Sequence, residues 1–93
     1  MNINIMGVTY KVKEVDEVSN TEDLMGLIDY KTCEILLDEN IAQEAKEHTL
    51  VHEIVHGVLS SLGMYDLNND ESAVQSIASA LYCTFKPFIT FSF

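Results

Sequence analysis

Apolar and polar residues alternate from the start of the chain: Ile3 and Ile5 stand between Asn2 and Asn4, and Val8, Tyr10 and Val12 resume the alternation with opposite parity. The parity changes across Met6 and Gly7. That predicts two strands joined by a bulge or tight turn, because glycine tolerates the backbone angles that re-aim a strand. A polar, acidic stretch, Glu14 to Asp23, follows. Leu24 to Asp29, the turn-like Tyr30, Lys31 and Thr32, and Cys33 to Leu37 then read as a hairpin. The expected β region is about three antiparallel strands, closed by Asp38, Glu39 and Asn40.

From Gln43 the period becomes helical, with Val51, Val55, Val58 and Leu62 as one apolar stripe and Gly63 as the C-terminal stop. A loop is expected over Met64 to Asn68. A second helix should begin with Asn69 as N-cap and Asp70 and Glu71 in its first turn, where the helix dipole favours negative charge. Its expected buried stripe is Val74, Ala78, Leu81, Tyr82 and Phe85, and Pro87 ends it. The tail Phe88 to Phe93 reads as a terminal strand or an exposed docking segment. The fold class is therefore α+β, a small antiparallel sheet packed on two helices, in one domain over residues 1–93.

A chain of 93 residues with 47% hydrophobic and 22% charged residues has the composition of a small globular domain, which excludes a disordered or low-complexity reading. Charge narrows the partners. Five lysines, no arginine and fifteen acidic residues give a net charge of −10. Such a field repels nucleic acid, whose binders need cationic side chains, and attracts a basic partner. No apolar run reaches the roughly 20 residues of a membrane span, and Met1 is not followed by an export signal, so a cytoplasmic setting is expected. Cys33 and Cys83 lack CxxC spacing and read as reduced, buried thiols.

Within the first helix stands His52-Glu53-Ile54-Val55-His56. Spacing of four residues sets both imidazoles on one face, one turn apart, so two nitrogens can reach a single ion, and both face away from the apolar stripe. Zn²⁺ suits imidazole ligands and takes three protein ligands in catalytic sites, leaving one position for water. Glu53 would then take a proton from the zinc-bound water and pass it to the leaving amine. Asp70 and Glu71 are both candidates for the third ligand. Periodicity does not choose between them, and the other carboxylate would simply favour its helix N-terminus.

The HExxH segment, the preceding Thr49-Leu50 and the downstream Glu71-x-x-Val74-x-x-Ile77-Ala78-x-x-Leu81 resemble the ImmA/IrrE metallopeptidases of bacteria, their mobile elements and phages. The resemblance includes Gly26 to Leu37, a hairpin ahead of the active helix, and covers about two thirds of the chain. It implies that Glu71 is the third zinc ligand beside His52 and His56, that Glu53 is catalytic, and that the substrate is a regulatory protein such as a DNA-binding repressor. Family members usually have a helix before the sheet and a Met-Pro pair following the second helix's Leu-Leu, the place of Leu81-Tyr82 here. Here no N-terminal helix is evident and Cys83-Thr84 occupy the second place, so the chain reads as a stripped-down version.

Two other zinc families fail on the same segment. Metzincins need glycine and histidine where this chain has Leu59 and Leu62, and the histidine-triad endoribonucleases need histidines where it has Ser60 and Leu67. His48 shares the face of His52 and His56, but three consecutive turns span too far for one tetrahedral ion, which leaves it a supporting or oxyanion role. Without arginine, a transition-state donor would be His48, Tyr65, Tyr82 or a backbone amide. An edge strand such as Cys33 to Leu37 would align an extended peptide by strand addition. The alternative function is a non-catalytic, zinc-stabilised acidic protein that binds a basic nucleic-acid-binding partner.

Overall fold

A computed structural model describes residues 1–18 and 24–93. The first hairpin pairs β1 (Asn2–Ile5) with β2 (Val8–Val15), Ile5 opposite Val8 and Ile3 opposite Tyr10. Met6 and Gly7 both take positive φ, 49° and 92°, so the parity change is a two-residue turn whose twist suits antiparallel strands. The Asn4 Oδ1 caps it by accepting from the Gly7 amide at 2.8 Å. The second hairpin pairs β3 (Gly26–Asp29) with β4 (Glu34–Asp38). In its turn Asp29 Oδ1 accepts from the amides of Lys31 and Thr32, and Cys33 adopts φ 56°. Of the acidic stretch read from Glu14 to Asp23, Glu14 and Val15 end β2, Val18 is buried, and residues 19–23 lie outside the described residues.

The α+β class holds, with one more strand than expected and a different wiring. The sheet has four strands in the order β1-β2-β4-β3, and its central pair, β2 with β4, is parallel. Alternation reports which face of a strand is buried but carries no information on which strand lies beside it or in which direction. The chain leaves β2, runs down the far edge as β3 and returns as β4 between them. This registers Val12, Ile35 and Ile28 side by side on the core face. Glu34–Asp38 is thereby an interior strand, and the edge role expected for that segment falls to β3.

One long helix, α1 (Gln43–Ser61), lies across the core face of the sheet. Leu50 packs with Ile5, Tyr10, Val12, Ile28, Ile35 and Leu37, with Ile54 and Val58 at the margin. Gly57 permits the close approach: a β-carbon there would lie 2.9 Å from Ile5 and 3.1 Å from Ile28. Gly26 does the same on β3, where a β-carbon would collide with Thr49. On its other side α1 packs Val55 and Leu59 against Val74 and Ala78 of α3 (Glu71–Phe85), with Leu67 of the one-turn helix α2 (Tyr65–Asn68) alongside. The expected single stripe is therefore replaced by two buried faces, and Leu62 is exposed because it lies past the last contact of the helix with either layer.

The helix ends follow their residues. Gly63, at φ 73°, stops α1 through bonds from its amide to Ser60 and from the Met64 amide to Leu59, a Schellman arrangement. The N-cap of α3 is Asp70 rather than Asn69: its Oδ1 accepts from the Ala73 amide at 3.0 Å. Met64 to Asn68, expected as a loop, contains α2, and the stripe of α3 is buried only at Val74 and Ala78. Leu81 and Phe85 are exposed, bordering an apolar hollow with Tyr82, Ile89 and Phe91. After Lys86–Phe88, a single 3-10 turn holding Pro87, the tail forms no strand, and Phe91 and Phe93 fold back on the core while Phe88 stays in solvent. No described helix is long and apolar enough to cross a membrane. Both cysteines are free, Cys33 half-buried and Cys83 exposed rather than buried.

Candidate metal centre

Four elements meet at one cleft of about 570 Å³: β3 with its following turn forms one wall, α1 the floor, and α2 with the start of α3 the other wall. His52 and His56, one turn apart on α1, point out of the core toward α3, their rings 4.9 Å apart between centroids. Glu71, the first residue of α3, is free to face them because the preceding Asp70 spends its carboxylate on the cap. Its Oε2 lies 3.2 Å from His52 Nε2 and its Oε1 2.9 Å from His56 Nε2. Among the described residues these three side chains offer ligand atoms all within 4.8 Å of one another. Asp70, the other candidate, is not in the group.

The outward ring nitrogens identify the chemistry of the inward ones. His52 Nδ1 meets the amide oxygen of Gln75 at 2.8 Å, and His56 Nδ1 meets that of Asn68 at 2.6 Å. An Nδ1–H donating to each amide oxygen leaves Nε2 as the nitrogen turned toward Glu71, where it can donate to the carboxylate as an imidazolium or, with the ring neutral, offer a lone pair to a metal ion. Nitrogen and oxygen ligands about 2.0–2.1 Å from a tetrahedral Zn²⁺ lie about 3.3 Å apart, close to the two histidine–Glu71 spacings and within the 4.8 Å that bounds the whole set. The donor set therefore fits zinc, and Gln75 and Asn68 are the partners that orient its imidazoles.

Glu53 is placed differently. Its side chain turns toward the sheet, with the residue only 7% exposed, and its carboxylate accepts from the backbone amide of Ile28 on β3. That amide is available because Leu27, not Ile28, bonds across to β4, as the neighbouring bond from Asp38 to the Met25 carbonyl fixes the register. Burial raises the Glu53 pKa above the ordinary carboxylate value. The nearby His52 and His56 pull it back, Glu71 pushes it up, and the Ile28 amide favours the charged form. A carboxylate beside a polar cleft with a raised proton affinity has the properties of a general base.

The remaining sequence candidates lie elsewhere. His48 Nε2 contacts Ser79 Oγ at 3.0 Å on the seam between α1 and α3, edge-on to Tyr82, and is not among the converging ligands. Tyr82 donates to Glu47 at 2.7 Å, and Tyr65 is exposed on α2. Gln75 was legible in principle, standing one turn after Glu71 on the same helical face. Asn68 carried no comparable signal, since only the fold of α2 brings it to His56. No protein-family model, curated protein or solved structure matches this chain.

Proposed function

We propose that the protein is a zinc-dependent peptidase in which His52, His56 and Glu71 hold the metal and Glu53 is the general base. The observation that carries this reading is the convergence of two Nε2 atoms and one carboxylate at 2.9 and 3.2 Å, with a buried carboxylate in the same cleft. Zn²⁺, when bound, supplies a Lewis acid that lowers the pKa of water and polarises a carbonyl. Gln75 and Asn68, each accepting from an Nδ1–H, would hold the two imidazoles with Nε2 toward the metal. Glu53, anchored on one side by Ile28, takes the proton of the attacking water and delivers it to the departing amine. The exposed edge of β3 beside the cleft, with the outward backbone groups of Gly26, suits an extended peptide added as a further strand.

The charge of −10 favours a basic substrate, in keeping with a regulatory DNA-binding protein inside the cell. The test has two readings on one pair of proteins. Wild type should bind one zinc and cleave peptide, while Glu53→Gln should keep its zinc and lose hydrolysis by a factor of about 10³ or more. A Glu53→Gln protein that hydrolyses normally defeats the proposal. A wild type that binds zinc and a basic partner but cleaves nothing turns it into the interaction protein.

A further inference from the structure

Addition of water to a peptide carbonyl places negative charge on its oxygen, and a peptidase of this kind needs a donor aimed at that oxygen. The sequence holds no arginine, and no lysine lines the cleft. His48 and Tyr82 are engaged on the α1–α3 seam, Tyr65 borders a separate hollow at the end of α1, and the amide oxygen of Asn68 is committed to His56. Tyr30 is different. It opens the turn after β3 and lines the cleft together with His52, Glu53, His56 and Glu71. Its hydroxyl donates to the backbone carbonyl of His56, itself one of the converging residues, at 3.3 Å. That is longer than the roughly 2.7–2.8 Å of a well-made O–H···O bond, and the residue is 44% exposed, so the contact is readily exchanged. The backbone beneath it is held by Asp29 through the Lys31 and Thr32 amides, so the ring moves on its own two torsions.

We propose that Tyr30 leaves the His56 carbonyl when substrate enters and donates its hydroxyl hydrogen bond to the scissile carbonyl oxygen as that oxygen becomes an oxyanion. The inference rests on the peptidase reading above. In the balanced step the water oxygen bonds to the carbonyl carbon, the water proton passes to Glu53, and the C–N bond breaks as Glu53 returns the proton to the amine. Tyr30 shares its hydrogen throughout and does not transfer it.

The experiment uses the full zinc-loaded chain as wild type, Tyr30→Phe and Asn69→Ala, Asn69 being the other amide side chain on the cleft. Each is titrated with a phosphinic pseudopeptide, whose tetrahedral P–O⁻ stands in for the oxyanion, and assayed on a random-sequence quenched-fluorescent peptide pool. Zinc stoichiometry and Tm are measured alongside. Tyr30→Phe should keep its zinc and its Tm, bind the phosphinate about 10²-fold more weakly, and lose kcat with KM little changed. Undiminished phosphinate affinity, loss of zinc together with affinity, or the loss appearing in Asn69→Ala instead overturns the proposal. A wild type that takes up no zinc or cleaves nothing in the pool fails the peptidase reading itself, whereas an active wild type with an unimpaired Tyr30→Phe fails only this inference.

Discussion

The two sides of α1 are built on opposite terms. Toward the sheet the contact is dry and close, Leu50 locked among Ile5, Ile35 and Leu37, with Gly57 present because no β-carbon fits. Toward α3 the contact is apolar around Val55, Leu59, Val74 and Ala78, with Val51 and Ile77 at its margin. One turn away it becomes polar, with His52 and His56 half-buried against an exposed Glu71. Apolar burial is the main tie at the first interface, with the Lys46–Glu14 ion pair at its edge. The second has imidazole nitrogens and a carboxylate converging at its end, and a bound cation would join the helices there. A small domain has little apolar surface to spare, so assigning stability to one face and chemistry to the other lets the site stay open without loosening the core.

That contrast predicts unequal responses. The largest effect belongs to the dry face: Gly57→Val should cost about 3 kcal/mol, read as a fall in the denaturation midpoint, because the added atoms must displace the buried side-chain ends of Ile5 and Ile28. Unchanged stability would show that the helix–sheet packing is looser than described. Next, zinc at a hundredfold excess over its Kd should stabilise wild type by about 2.7 kcal/mol, and chelation should remove the gain. Glu71→Ala should show neither response, which thermal melts with and without chelator would check.

Asp70→Ala sharpens the division of labour at the start of α3. It should lose about 1 kcal/mol with the cap yet retain full zinc stoichiometry. If it lost the metal and Glu71→Ala kept it, the site would be wrongly assembled. The smallest effect is at the Asp29 turn. The amides of Thr32, then of Lys31, hold the Asp29 pKa below its ordinary value. Its contribution is therefore complete above the ordinary carboxylate value and lost as pH falls through the lower folded value. Asp29→Asn should flatten the acid limb of the stability profile slightly and leave neutral pH nearly untouched.

Sequence by itself determined what depends on neighbours along the chain. The turn at Met6-Gly7, the helix from Gln43 to its stop at Gly63, the break at Pro87 and the one-turn spacing of His52 and His56 all follow from backbone preference and helical period, which act over a few residues. Tertiary structure decided the rest. Parallel pairing of β2 with β4 made β3 the edge strand, and two-sided packing of α1 left Leu62 in solvent. Docking of α2 and α3 against α1 brought Asn68, Glu71 and Gln75 to the histidines. Those outcomes turn on which surfaces meet, and a period of two or 3.6 residues states that a face is apolar without naming what will cover it.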